Sequence, residues 1–395
     1  MPWKESHRVN ERMRFVARLE AGERMIDLCR EFQVSRKTGY KILERYERLG
    51  PVGLYDQSRR PAFHPGQTSD EIKKLVISAK NDHPSWGPRK IREWLKRRHP
   101  DLRIPSHSVA YTILDRQGLV KHRNLRRTHR NEGTAITSST QVPNELWCAD
   151  FKGQFRMGNR SYCYPLTITD HLSRYLLGCE ALENNQTPGA RAVFEQVFRE
   201  FGLPDAILSD NGPPFGSVGI FGLSQLSIWW LRLGIQIQRI QPGHPEQNGR
   251  HERMHLTLKQ ATTRPPGANL LQQQERFDEF RSQFNEQRPH EALDMRCPTE
   301  FYRPSRRPYP KQLDEPLYPL HDLIRRATPD GRVRLNQKKE GLGFTLGRAF
   351  RGQKIGLREE DTGLWKVTFV NFDLGIFDEF KREFHPFERL QSSGA

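Results

Sequence analysis

Ser161-Tyr162-Cys163-Tyr164-Pro165-Leu166-Thr167-Ile168-Thr169-Asp170 is rich in aromatic and β-branched side chains, which suit the pleated, half-buried surface of a strand. Residues 146–155 before it and 175–182 after it read as strands too, so three strands come in succession. A helix is expected over 187–201, with Val193, Phe194, Val197 and Phe198 on its apolar side. Gly202-Leu203-Pro204 breaks the pattern ahead of a short strand at 205–210. Next come an apolar helix around 223–233, a strand at 235–240, and a turn at Pro242-Gly243-His244-Pro245. A long helix from about 248 to 262 and a further helix over about 269–284 complete the run. Three strands and then alternating helix and strand predict a mixed sheet layered with helices, an α/β domain over 143–310.

Upstream of Pro143 the texture is helical. Val9, Met13, Val16 and Leu19 recur at helical spacing, and Met25, Leu28 and Phe32 mark a second helix. Ser35 is placed to cap a third, expected to bury Tyr40, Ile42 and Leu43. That helix opens on Arg36, Lys37 and Thr38, with Lys41 one turn on. Two short helices, a tight turn and a basic third helix make a helix-turn-helix pattern, assigned to 1–60. The apolar spacing alone would suit any small helical bundle; the basic entry favours DNA.

A Gly- and Pro-containing linker spans 51–68. The helical pattern then repeats over 69–122, with Ser106 and Ser108 able to cap its last helix. Residues 123–142 read as a basic and polar linker. Two such heads on a flexible connection could span more than one turn of a duplex. The C-terminal 315–390 is expected to be a small β-barrel-like domain, with strands near 333–335, 352–358, 364–371 and 375–380. Its Phe350, Trp365 and Phe369 read as core rather than as stacking platforms for bases.

The chain of 395 residues has 64 Lys and Arg against 47 Asp and Glu, a formal charge of +17. Residues 1–130 hold 30 basic and 15 acidic side chains, whereas the remainder holds 34 and 32. A basic third on a near-neutral body predicts a polyanion-binding arm. No run of 18 apolar residues is present, which argues against a membrane-spanning helix. Charges in the first fifteen residues argue against a signal peptide. Five scattered cysteines without a CxxC pair fit neither a disulfide framework nor a thiolate zinc site, and suit a reducing cytoplasm.

No nucleotide-binding glycine loop and no Ser/His/Asp nucleophile pattern stands out. Three carboxylates do. Asp150 lies in Trp147-Cys148-Ala149-Asp150-Phe151-Lys152-Gly153, and Asp210 closes a strand in Leu208-Ser209-Asp210-Asn211-Gly212. Glu252 sits in the first turns of a helix, in Gln247-Asn248-Gly249-Arg250-His251-Glu252-Arg253-Met254. Phosphodiester transfer needs an activated oxygen nucleophile and neutralised charge on the phosphate. Two metal ions held by a few acids from different elements supply both.

This set of motifs, with Phe284-Asn285 to Pro298 behind it, resembles the DDE transposase and retroviral-type integrase family. The nearest resemblance is to bacterial insertion-sequence transposases with N-terminal helix-turn-helix domains, and it covers about residues 1–310. It implies an RNase H-like core with a five-stranded mixed sheet, and Asp150, Asp210 and Glu252 as catalytic residues holding two divalent ions. Those ions would be Mg2+, with Mn2+ as a substitute. It also implies double-stranded DNA as partner, both element terminal repeats and target DNA, and a homo-oligomer on DNA. A zinc module, a small-molecule cofactor and a membrane are not expected. The implied location is the bacterial cytoplasm, with nucleoid association when acting on DNA.

Other residues are assigned beside these. Arg36, Lys37, Thr38 and Lys41 are the expected DNA-reading side chains. His255 and Lys259, at i+3 and i+7 from Glu252, share its helix face and could touch DNA phosphates, or form a solvated polar face. Asp170 reads as structural, Asn211 and Gly212 as shaping the turn at Asp210, and His290 as packing. Trp229 and Trp230 read as an ordinary core helix. The expected function is a transposase that binds element ends and performs strand cleavage and strand transfer. The alternatives are a catalytically inactive DNA-binding regulator derived from such an enzyme, and a nuclease without transfer.

Overall fold

The computed structural model describes residues 8–56, 67–120, 140–241, 248–336 and 342–392. The chain divides into two compact units, Met1–Thr68 and Ser69–Ala395. The first holds α1 (Arg8–Glu20), α2 (Met25–Glu31) and α3 (Arg36–Leu49). Phe15, Val16, Leu28, Cys29 and Ile42 form its core, closed by Leu54 from a 3-10 turn at Gly50–Leu54. Ser35 caps α3 by accepting from the Thr38 N–H at 3.2 Å. Gly39 lets α3 lie against α2: a Cβ there would stand 2.8 Å from Met25 Sδ and 2.9 Å from Cys29 Sγ. Tyr40, expected inside, is 58% exposed. Gly39 and Ile42 take the inward face of α3, and Tyr40 is turned about 100° from Gly39 by the helical period.

The second unit begins with α4 (Asp70–Asp82), α5 (Pro88–Arg98) and α6 (His107–Arg116). Ser69 and Ser106 cap α4 and α6, and Val76, Trp86, Ile91, Leu95 and Leu114 build the core between them. Arg97 ties α5 to a turn near the end of the core, donating to Met295 O at 2.5 Å and Cys297 Sγ at 2.8 Å. The basic segment expected over 123–142 lies outside the described residues up to 139, as do 57–66 of the earlier linker.

The strand read at 161–170 forms the middle of a mixed sheet. Its members are β1 (Leu146–Phe151), β2 (Phe155–Arg156), β3 (Tyr162–Asp170) and β4 (Leu176–Leu182). After α7 (Thr187–Phe201) come β5 (Ala206–Ser209), α8 (Gln225–Arg232) and β6 (Gln236–Arg239). The five main strands run β4-β3-β1-β5-β6, and β2 pairs with the start of β3. β1 and β3 are antiparallel, as are β3 and β4, while β1, β5 and β6 are parallel.

Alternation along β1 sends Trp147 and Ala149 to one face, where Phe194 and Phe198 of α7 and Trp229 and Trp230 of α8 pack with Ile207. Trp230 and Phe198 are fully buried, each contributing about 1.5–3 kcal/mol on burial. α9 (Gly249–Thr262) and α10 (Leu270–Ser282) cover the other face through Met254, Leu258, Phe277 and Phe280.

The C-terminal part differs from the barrel expected for it. It comprises β7 (Leu323–Arg326), β8 (Arg332–Arg334), β9 (Gly343–Thr345), β10 (Lys354–Asp361), β11 (Leu364–Phe369), β12 (Phe372–Asp378) and β13 (Glu383–Ser392). These form an open antiparallel sheet, β13-β12-β11-β10-β7, beside a separate pair β8-β9. Among the described residues β7 and β13 have one sheet neighbour each, so the sheet does not close. Val333 and Phe344 from the short pair, with Phe350, instead cover its apolar face, Phe344 packing on Phe377 and Phe350 on Phe369, and Ile228 and Leu231 of α8 join the same cluster.

Candidate active site

Asp150 and Asp210 come together because their strands are parallel neighbours. Cys148 of β1 stands opposite Leu208 of β5, so two residues further along each chain the aspartates leave the sheet at the same edge. The loop after β5 is held from behind by Arg239. Its guanidinium donates to Ser209 Oγ at 2.6 Å, Asp210 O at 3.0 Å, Phe215 O at 2.6 Å and Ser227 Oγ at 2.8 Å. Asn211 Nδ2 ties the turn to Ile240 O at 3.0 Å. A Cβ on Gly212 would stand 3.2 Å from Asp210 Oδ2, close enough that this carboxylate would have to give by a few tenths of an ångström. Asp210 Oδ1 is buried and has no hydrogen-bond partner.

The electrostatics mark these carboxylates as under-compensated. Burial first, then the Asp210 charge, pushes the Asp150 carboxyl up to about 7; Glu252 adds to the rise, and the Phe151 N–H and Lys152 oppose it. Burial likewise raises Asp210, against the Gly212 N–H and the Arg239 charge. Glu252 lies on the exposed side of α9. Among the described residues no three His, Cys, Asp or Glu side chains are gathered at metal-ligand spacing. The donors nonetheless fit a hard divalent ion. They are carboxylate oxygens, two share a strand edge, and one oxygen is buried without a donor. Glu246, the other acid near the third motif, lies outside the described residues.

The inward face of α9 carries a polar layer that sequence reading missed. Thr167 of β3 donates to Asp150 O at 3.1 Å and meets His251 Nε2 at 2.8 Å and His255 Nε2 at 2.6 Å. Thr169 Oγ1 meets His251 Nδ1 at 2.9 Å. A hydroxyl has one proton and two lone pairs. With its proton on Asp150 O, Thr167 accepts from both imidazoles, which fixes both as Nε2–H tautomers. Burial holds both rings neutral, at about 3 for His251 and about 2 for His255. His255 Nδ1 then presents a lone pair 3.7 Å from Asp150 Oδ2.

This placement corrects the expectation for His255. It is 5% exposed and packed behind Asp150, not on the outer face with Lys259. Three residues from Glu252 is far enough round the helix to turn it inward. Lys259 is exposed, and lines a small pocket of about 60 Å³ with Lys152 and Gly153. Arg36, Lys37, Thr38 and Lys41 are all exposed on α3. The i, i+4 spacing of His251 and His255 was the available signal for the buried pair. Asp170 accepts from Asn144 N at 2.7 Å and from Ser173 N and Oγ at 2.8 and 2.6 Å, which makes it a brace for the strand end.

Comparison with known proteins matches residues 141–245 and 233–298 to integrase core domain models. Residues 11–62 match a helix-turn-helix domain and residues 38–114 a homeodomain-like domain. The integrase core over 141–298 and the helix-turn-helix domains before it support a DDE transposase/integrase family for this chain. One relative is the insertion element IS407 uncharacterized 31.7 kDa protein of Burkholderia multivorans, 24% identical over 63% of this chain and 87% of its own length. Another is the Gag-Pol polyprotein of baboon endogenous virus, 30% identical over 31% of this chain but only 7% of the polyprotein. The HTLV-2 integrase catalytic core, solved in complex with magnesium, aligns over 41% of this chain and 98% of that one at 15% identity, with a TM-score of 0.33. The integrase core domain supports placing the chain in the polynucleotidyl transferase superfamily.

Proposed function

We propose that this protein binds the ends of a mobile DNA element through its helix-turn-helix domains and cuts and joins DNA strands at Asp150, Asp210 and Glu252. The observation that supports this most is the pair of carboxylates at one strand edge, both raised by burial and Asp150 further by the Asp210 charge, in a chain whose net charge is +17. Asp150, Asp210 and Glu252 would hold two divalent ions, Mg2+ or Mn2+. Such ions, when bound, activate the attacking oxygen and neutralise charge on the scissile phosphate.

The chain's own residues do the rest. Arg239 fixes the Asp210 loop, Thr167 fixes the β1 carbonyl at Asp150, and the neutral histidines fill the space behind the site. Lys152 and Lys259, together at one small surface pocket, would contact the phosphate backbone. Arg36, Lys37, Thr38 and Lys41 enter the major groove from α3. Water first attacks the phosphodiester at the element end and releases a 3′-hydroxyl. That hydroxyl attacks a target phosphodiester, releasing a target 3′-hydroxyl as the new bond forms. One phosphodiester replaces another, so no small-molecule cofactor is required. Joining two element ends calls for a homo-oligomer on DNA, working in the cytoplasm on the nucleoid.

The test uses the full-length chain with labelled DNA from the flanks of its gene and added Mg2+ or Mn2+. Asp150→Asn, Asp210→Asn and Glu252→Gln should each keep end binding and lose cleavage and transfer by about a thousandfold or more. Glu246→Gln should stay active. Loss with Glu246→Gln and retention with Glu252→Gln would move the third carboxylate. End binding by the wild type with no cleavage under either metal would establish the inactive-regulator alternative.

A further inference from the structure

The first turns of α9 also border a second, very different environment. A cavity of about 670 Å³ opens between α9, the turn after β3, the chain after α10, and α5. Five cations line it: Lys90, Arg174, Arg250, Arg253 and Arg288. None of the proposed metal-holding carboxylates does. Among the described residues two acids line it, Asp170 and Glu291, and the oxygens of Asp170 are already taken by Asn144 and Ser173. Among the described residues none of the five cations forms an ion pair. Arg250 Nη1 donates at 2.7 Å to His171 Nε2, a ring that burial and nearby cations keep neutral.

Several of these charges are substantially removed from water. Burial, then Arg288, lowers Lys90 to about 8; burial lowers Arg174 and Arg288 to about 10. His290 Nε2, also on the cavity wall, is buried with no partner. Like charges held together away from water repel strongly, and a fold normally sets a carboxylate among them. Here, among the described residues, it sets five cations against Asp170, which acts on Arg174, and one exposed glutamate. Guanidinium forks match phosphate oxygens, and the opening N–H groups of α9 add the positive end of a helix dipole. The space is far too small for a duplex but holds a short run of phosphates.

We propose that this cavity binds phosphate groups, two or three in a row, carried by an extended DNA strand or by a free polyphosphate anion, and so bridges α5 to the core. The free-anion source stands without the transposase reading; the DNA-strand source rests on it.

The experiment measures binding by the full-length chain in chelator, where cleavage plays no part. Inorganic triphosphate is titrated by calorimetry, and labelled single-stranded and duplex end DNA by fluorescence anisotropy. Lys90→Gln/Arg288→Gln and, separately, the exposed Arg253→Ala are compared with wild type. Arg199→Ala, on α7 across the sheet and paired with Glu195 at 2.6 Å, is the control. Each lost cation should weaken the relevant ligand about tenfold or more. Triphosphate should also raise the melting temperature of wild type and not of the double variant. Weakening confined to triphosphate assigns the free anion; weakening of strand binding, with triphosphate competing, assigns the DNA backbone. Wild-type affinity for both ligands in a folded double variant overturns the proposal. Should that variant fail to fold, wild-type affinities in Arg253→Ala overturn it equally. A cleavage failure with these affinities intact would sink the catalytic reading alone.

Discussion

Thr167→Val swaps a hydroxyl for a methyl at nearly constant volume, so packing between β3 and α9 should survive while the polar node disappears. Two groups lose their partner, the Nε2–H of His251 and the Nε2–H of His255, while the Asp150 carbonyl loses one of two donors and keeps the Thr167 N–H of the β1–β3 ladder. Both histidines are nearly sealed, at 2% and 5% exposed, so water cannot step in without opening the layer. A buried polar group left unsatisfied costs about 1–3 kcal/mol. Two of them, with some relaxation, come to about 2–5 kcal/mol. Against the ~5–15 kcal/mol that holds a typical domain together, that is a large fraction.

Thr169→Val gives the internal standard. It removes one contact, Thr169 Oγ1 to His251 Nδ1, and should cost about 1–2 kcal/mol. Urea denaturation of both variants beside wild type reads the difference directly, since the surface exposed on unfolding, and hence the slope, should not change. A Thr167→Val cost below about 1 kcal/mol, or no larger than that of Thr169→Val, would refute the three-way node and with it the tautomers assigned to both rings.

Arg36→Ala, at the exposed start of α3 behind the Ser35 cap, should relax sequence preference by about 1–3 kcal/mol at one base position; an unchanged profile across a binding-site library would remove Arg36 from base reading. Glu180 on β4 is raised to about 7 by burial first and then by the Asp278 charge. An acid raised in the folded state costs stability once it ionises, so the penalty grows from the ordinary 4.5 upward and is complete above pH 7. Glu180→Gln should therefore be more stable than wild type by about 1–3 kcal/mol at pH 8 and equal to it near pH 4; equal melting temperatures at pH 8 would contradict this.

Elements whose information is local were legible in the sequence. The helix expected over 187–201 forms as Thr187–Phe201, because Pro188 starts it, Gly202 ends it at φ +79°, and its apolar period is unbroken. The caps at Ser35 and Ser106 were equally local. What failed depended on which of several permitted faces a neighbour would cover. Tyr40 lost its inward place to the close approach at Gly39. Four of the seven C-terminal strands were found and β7, β9 and β13 were not, and closure into a barrel was not decided by the strands' own alternation. A two-stranded pair covered the sheet instead. Thr167 sits in a strand 84 residues before His251, and no period in either segment announces their contact. The cationic cavity was hidden by the charge count itself. Residues beyond 130 are nearly neutral in sum, yet Arg174, Arg250, Arg253 and Arg288 converge from that part.

The four faces of α9 explain why its inner layer is polar. Met254 and Leu258 pack on Phe277 and Phe280, His251 and His255 reach Thr167, Arg250 and Arg253 turn to the cavity, and Glu252 and Lys259 face outward. Apolar contacts are non-directional, so a helix seated on Met254 and Leu258 alone could slide or roll slightly at little cost. Two imidazoles sharing one hydroxyl tolerate far less, because hydrogen bonds weaken steeply with angle. The register of α9 on β3 is therefore set by the same hydroxyl that holds the Asp150 carbonyl. Glu252 is one residue from His251 and three from His255, so its backbone inherits that register, and a displacement of β3 would move the Asp150 and Glu252 backbones together. Neutral histidines suit this task where lysine or glutamate would not, since a charge in that layer would add to or cancel the unrelieved field at Asp150.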